Sequence, residues 1–446
     1  MLLVGRAALR RAARFRDAVE VASAALGLDL ERGRLLKLPV ARGEVDGVPV
    51  RIRGVRQRVP GHPDKGAQAV FTEVQAKAPW PRGFAVVPRE PRARGLFVRL
   101  GGRAGGALAV ADGLGVEAFD RLLEVQHVGG GLDLVSRLGE QSRAGLVRLV
   151  VERGATVERG RVTLVERGLS DDGERLAAQV EEVARLAAAL DRNGAEAARA
   201  AADIVAGDPE VALRRRALQA LCEEAPSDDD TARAVLAALK DEDPELRVMA
   251  AERCGLEGFD AARGVALDEL APTALRVRTT ALLAQRYPER RAASLETLDQ
   301  LLSGAPDAVM AAALSGAHAL GHVPQLGQLL TAASRAGADS GGPIARALGR
   351  HRGGPVERGL VDMLRISEPK VRVEVVRALG QAGSLRAVEH LRPLTSGLLA
   401  NRGVKAAARE AIAAIQARAG GGEAGQLSLT DHTARGELSL AGPDSD

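Results

Sequence analysis

Residues 367–380 read SEPKVRVEVVRALG, and the order of residue types within them decides how the C-terminal half of the chain is built. Pro369 stands at a place where a helix can begin, because its missing N–H would have had no partner in the first turn. Val371 and Arg372 follow, then a run suited to a packed helix. Gly380 comes after Leu379, where a left-handed residue would close that helix. The same grammar returns in DPELRVMAAERCG (243–255), APTALRVRTTALLA (271–284), APDAVMAAALSGAHALG (305–321) and NRGVKAAAREAIAAI (401–415). The Ala-Leu-Gly ends at Ala319, Ala347 and Ala378 are 28 and 31 residues apart. Such a period marks stacked helix pairs: one pair cannot bury its own apolar face, whereas a stack can. The reading predicts six or seven pairs over residues 194–418, with no strand among them.

Pro-x-Val-Arg followed by an Ala-rich helix and Leu-Gly resembles the HEAT-repeat family in its short bacterial form. The pairs at Asp243 and Glu368 match best, and those around 260–300 and 323–350 are degenerate. The resemblance implies an α-solenoid with an extended concave surface that binds proteins. If helices of the second rank line that surface, Arg233, Arg335, Arg358, Arg386, Glu389 and Arg392 are the candidate contacts, a mixed-charge set suited to a polar interface. Nucleic-acid binding is the alternative, since some HEAT-like arrays hold duplex backbones. A third class, the HEAT-like lyases of pigment attachment, would need a nucleophile that this sequence does not place.

Composition bears on those alternatives. The computed pI is about 9.4, yet the formal net charge is only +4, from 62 basic and 58 acidic groups. That excess does not by itself indicate a polyanion partner. Lysine occurs only at 37, 65, 77, 240, 370 and 405, so the basic residues are nearly all arginine. Hydrophobic residues make up 46% of the chain and aromatic ones 2%, which leaves Ala, Leu and Val to fill the interior. Small side chains favour close helix packing. Two distant cysteines, Cys222 and Cys254, show no disulfide or Cys-x-x-Cys spacing and fit a reducing cytoplasm. The N-terminus lacks a signal peptide's charge order, and no run of 18 apolar residues occurs, so the expected protein is soluble and cytoplasmic.

Residues 1–192 read as an α+β domain. A helix over Ala8–Leu26 places Phe15, Val19, Ala22 and Leu26 on one face and stops at Gly27. From Arg42 the period becomes two, and Asp46-Gly47 is a two-residue hairpin turn. Strand-like runs follow at VFTEVQAKA and GFAVVPRE, with the loop at 60–68 between sheet segments. A hairpin is expected from Leu146 to Val165. Ser170 is the expected N-cap of a helix whose stripe is Leu176, Val180, Val183, Ala187 and Leu190. DGLGVEAFDRLLEVQHV, with Phe119, Asp120 and Val125, resembles an element of an uncharacterised bacterial domain that often precedes helical repeats; Leu123 stands where a second Phe is usual. That family implies no activity.

Chemistry is sparse. His318 and His322 have the i, i+4 spacing of zinc ligands, but Gly321 intervenes, no Glu lies between them and no third ligand is evident. Cys222 and Cys254 lie on Ala-rich helices and read as core. The Gly-rich stretches 101–110 and 127–134 lack a phosphate-loop pattern and read as flexible connections. The acidic run Glu223, Glu224, Asp228, Asp229, Asp230, Asp241, Glu242, Asp243 and Glu245 clusters at repeat loops, where acids complement helix N-termini, and reads as capping and solvation rather than a patch for a basic partner. No catalytic residue, cofactor or metal is assigned, and a non-enzymatic scaffold with a protein partner is the leading reading. The tail, 419–446, has the composition of a disordered segment. It carries Gly-x-Leu-Ser-Leu twice, so Leu427, Leu429, Leu438 and Leu440 are candidate docking residues.

Overall fold

The structure, a computed structural model, describes residues 2–33, 37–58, 68–78, 80, 83–89, 113–192, 194–366, 368–396 and 401–419. The stretch 101–110, the loop 60–67 and the tail leucines Leu427, Leu429, Leu438 and Leu440 lie outside those residues. An antiparallel sheet region precedes an array of helices, so the α+β and then all-α order holds. The chain divides into two compact units, Met1–Ala250 and Ala251–Asp446. The first extends past the expected junction near residue 193.

In the first unit, α1 (Leu2–Leu26) ends at Gly27, whose φ of +65° is the left-handed stop foreseen. Phe15, Val19 and Ala22 are fully buried. The sheet comprises β1 (Asp29–Glu31), β2 (Val40–Val45), β3 (Val48–Arg58), β4 (Gln68–Lys77), β5 (Ala85–Pro88), β6 (Leu123–Gln126), β7 (Thr156–Glu158) and β8 (Arg161–Arg167) in the order β1-β2-β3-β4-β8-β7-β5-β6. Asp46 and Gly47 have φ of 51° and 76°, and Val45 faces Val48 across this tight turn. Both central residues lie at positive φ, the geometry that matches strand twist. Ile52, Val74 and Leu164 stand side by side on three strands and are buried. They share that side of the sheet with α5 (Gly173–Leu190), whose five-residue stripe is buried in full.

Two local expectations shift. The apolar run after Leu146 is not a strand: α4 (Glu140–Leu146) continues into a π-helical turn, Val147–Glu152, and the hairpin is only β7 and β8 around Arg159 and Gly160. Leu149 and Val150 are buried in that turn, and a short apolar run carries no period that separates helix from strand. The N-cap of α5 is Asp172, accepting from the Arg175 amide at 3.0 Å, because the amide of Ser170 is held by Thr72 Oγ1 at 2.9 Å.

Fourteen helices follow among the described residues, as seven pairs: α6 (Gly194–Gly207) with α7 (Val211–Glu224), α8 (Asp229–Ala238) with α9 (Pro244–Ala251), α10 (Phe259–Leu267) with α11 (Thr273–Gln285), α12 (Arg291–Gly304) with α13 (Asp307–Ala319), α14 (Leu326–Ala333) with α15 (Gly341–Leu348), α16 (Gly354–Ile366) with α17 (Pro369–Ala382), and α18 (Leu385–Ser396) with α19 (Arg402–Ala419). In the second unit the later helices of successive pairs pack on one another, α11 on α13, α13 on α15, α15 on α17 and α17 on α19. Gly321 has the expected left-handed φ of +67°, but Gly380 does not: it lies inside α17 and is buried. A Cβ there would meet Cα and Cβ of Ala411 on α19 at 2.9 Å. Gly380 is required by the close approach of two helices, and α17 ends at Gly383 instead.

The sheet region is fastened to the first pair. Two short helices flank β6: α2 (Glu117–Leu122) before it and α3 (Gly131–Ser136) after it, and α3 packs on α6 and α7. Arg143 on α4 grips Asp208, after α6, through two bonds of 2.9 Å and donates to the Leu138 carbonyl at 2.7 Å. Their side chains are 8% and 2% exposed, so each charge depends on the other. Asp208→Asn should therefore lower stability by about 3–5 kcal/mol in denaturant unfolding, whereas an exposed pair such as Arg32–Glu20 should cost under about 1 kcal/mol. In the second unit, Tyr287 donates to the Ala251 carbonyl at 3.0 Å and stands edge-on to Phe259. Burial pushes its hydroxyl up to about 12 from an ordinary 10. The folded state thus holds the proton more tightly, and this contribution to stability is present below pH 10 and lost as pH rises towards 12. Tyrosinate absorbance of this single tyrosine should rise only in that window; a midpoint near 10 would show it unburied.

Candidate functional site

Asp307, the first residue of α13, sets the geometry of a groove in the second unit. Its carboxylate accepts from the amides of Gly337, Asp339 and Ser340 at 2.9, 2.8 and 3.1 Å, and from the Ser340 hydroxyl. The loop before α15 is thereby fixed to the start of α13. Arg335, after α14, donates to the Ser303 and Gly304 carbonyls at 3.0 Å, which anchors α14 to the end of α12. Between α13, the loop after it and α15 lies a cavity of about 180 Å³. That is less than the roughly 300–1,000 Å³ of sites that enclose a whole small molecule, and suits a side chain or short segment.

Leu314, Val323, Pro324, Pro343 and Ala347 give the groove apolar walls. Ser315, His318, His322, Arg346 and Arg350 supply its polar lining. Arg350 Nη2 lies 3.0 Å from His318 Nδ1. A guanidinium only donates, so Nδ1 accepts and the ring proton of His318 sits on Nε2. His322 Nε2 lies 3.3 Å from both carboxylate oxygens of Asp299 and serves as the donor there. The left-handed Gly321 turns His322 off the helix, so the two rings share a groove while facing different partners. A metal at His318 Nδ1 would have to displace a cation, and the pair is not a ligand set. Arg346 reaches Glu374 at 3.3 Å, a carboxylate it shares with Arg377 at 3.0 Å.

The six contacts drawn from the repeat pattern all fall on the first helices of their pairs or just beyond them, whereas the groove lies on the second helices. Arg233 on α8 pairs with Asp230 at 2.9 Å and Asp203 at 3.6 Å. Arg335 is used as a tie. Arg358 is exposed on α16, and Arg386, Glu389 and Arg392 are exposed at three-residue steps on α18. The groove arginines were missed. Their signal is the i, i+4 spacing of Arg346 and Arg350 in PIARALGR.

Other sequence features resolve into packing. Cys222 and Cys254 are buried. Asp228 caps α8 through the Asp230 amide, and Asp243 caps α9 through the Leu246 amide while holding Arg215. The stretch 127–134 is a braced junction, not a loose connection. His127 is 8% exposed with Nε2 3.2 Å from the Gly130 carbonyl, and Glu224 on α7 accepts from the Leu132 amide at 3.0 Å. In the resembling element, Asp120 accepts from the Leu114 and Gly115 amides at 3.0 and 2.8 Å, while Phe119, Leu123 and Val125 are buried. No group of three or more metal-binding side chains occurs among the described residues. No family model and no curated protein matches the chain.

Burial alone would raise the Asp307 carboxyl, but the Ser340 hydroxyl and the three amides outweigh it and hold it below its ordinary value. A depressed acid stabilises the fold above the unfolded value near 4 and loses that contribution as pH falls further. The second unit should lose stability below about pH 4, and Asp307→Asn should flatten that acid limb while costing about 1–3 kcal/mol at neutral pH. Thermal melts across pH check both.

Proposed function

We propose that the chain is a non-enzymatic interaction protein, of the HEAT-like kind its repeats resemble, and that the groove between α13 and α15 is where it holds a protein partner. The observation that supports this reading is the combination of apolar walls with two arginines and a histidine lining the same small cavity. Such a site offers an anchor pocket for one side chain and directional recognition beside it. The other contacts, on α16 and α18, add a polar rim. No described helix is long and apolar enough to cross a membrane, and a cytoplasmic setting fits two buried thiols.

Partners recovered with the full chain as bait can be purified and measured one to one. Arg346→Glu with Arg350→Glu should weaken a true groove partner by tenfold or more, and Asp362→Lys on α16 should leave it unchanged. Equal affinity for the groove variant and the native chain would refute the reading. A duplex DNA probe that binds with a steep salt dependence would favour the nucleic-acid alternative, because phosphate contacts release counterions.

A further inference from the structure

We infer that the groove has a resident competitor, the segment Gly436–Asp446 of this same chain, GELSLAGPDSD, which docks there in cis and must leave before a partner enters. The inference rests on the groove being a peptide site and names what occupies it in the resting protein.

Three observations converge. The first is direction. Arg418 in the last turn of α19 donates to the Gly380 and Gly383 carbonyls at the end of α17. A Cβ on Gly349 at the end of α15 would touch Ala378 of α17 at 3.3 Å, and Arg350 meets His318 at the end of α13. The ends of α13, α15, α17 and α19 therefore share one edge, and Ala419, where the tail departs, lies on the edge that carries the groove.

The second is reach. From α19 to α15 are two helix-to-helix steps of about 8–10 Å, some 20 Å in all. Residues 420–436 lead from Ala419 to Glu437. A Gly-rich segment of that length has an r.m.s. span of about 20–25 Å, close to the optimum for intramolecular docking.

The third is chemistry. Arg346 shares its one carboxylate with Arg377, and Arg350 meets only a neutral imidazole, so the groove carries unspent positive charge between apolar walls. The segment 436–446 offers Leu438 and Leu440 with Glu437, Asp444 and Asp446, and no basic residue. The earlier copy, GQLSL at 425–429, has Gln426 in place of Glu437 and is followed by Asp431 and Arg435, whose charges offset each other. Charge complementarity selects the second copy over the first.

The two native thiols are buried, so Ser445→Cys in the full chain directs a fluorophore to a single position. Its anisotropy should be high, independent of protein concentration, and reduced to that of the labelled free peptide by Arg346→Glu with Arg350→Glu. Glu437→Gln, which rewrites the segment as the first copy, should reduce it in part. Adding Glu437→Arg, Asp444→Arg and Asp446→Arg to the groove reversal should restore it, which misfolding could not do. Anisotropy indifferent to both reversals, or rising with protein concentration as in docking between copies, overturns the inference. If it fails while groove variants still lose a partner, the proposed function stands without it.

Discussion

Every helix leaves its last carbonyls without intrahelical donors, and nineteen helices among the described residues multiply that deficit. In this chain arginine supplies the missing donors across neighbouring elements. Arg137, 1% exposed, reaches the Leu190 and Arg192 carbonyls beyond α5. Arg214 takes the Asp208 carbonyl after α6, Arg291 that of Leu320 after α13, Arg335 those ending α12, and Arg418 those ending α17. A planar fork of five donors can bridge two carbonyls, or a carbonyl and a carboxylate, which a lysine ammonium does less well. The near absence of lysine thus acquires a structural meaning. It also explains why Arg346 and Arg350 stand out: they line a groove, and neither ties off a helix end.

Small residues impose the second constraint. With 2% aromatic residues, the interior gains area by bringing backbones together, and dispersion rises with the number of close atoms. Gly316 on α13 shows the limit, since a Cβ there would lie 2.9 Å from the Ala284 Cβ on α11. Gly380 against Ala411, at the last interface of the array, is the same device. The few rings present are placed as wedges: Phe259 and Tyr287 meet edge to face with centroids 5.4 Å apart, and the tyrosine hydroxyl finds a carbonyl.

How much of this was legible in the sequence follows from the range of the forces involved. The Asp46-Gly47 turn, the end of α1 at Gly27 and the buried stripe of α5 are set by residues a few positions apart, and they read directly. The stack of helix pairs was legible because its pattern repeats. Leu146–Glu152 was not, because an apolar run of that length packs equally well as strand or helical turn until its neighbours are known. Gly380 has the right residue for a left-handed cap, and only the arrival of α19, thirty residues later, turns it into a contact point. The groove depends on Asp307 reaching a loop thirty residues away, so its arginines could be suspected from spacing but not placed.

The sheet region and the array meet through buried charge, and that choice has consequences. Replacing such a pair with apolar residues is often neutral for stability, so its value lies elsewhere. A bidentate Arg143–Asp208 bond permits one orientation, whereas an Ala-rich helix face sliding on another permits several. The first pair of a stack is the place where this matters most, because it has a neighbour on only one side and would otherwise expose its outer face. Here α3 covers α6 and α7, Glu224 fixes the amide of Leu132, and Arg143 sets the angle. The sheet region therefore acts as the cap of the array's first pair, held by contacts that specify position more than they add stability.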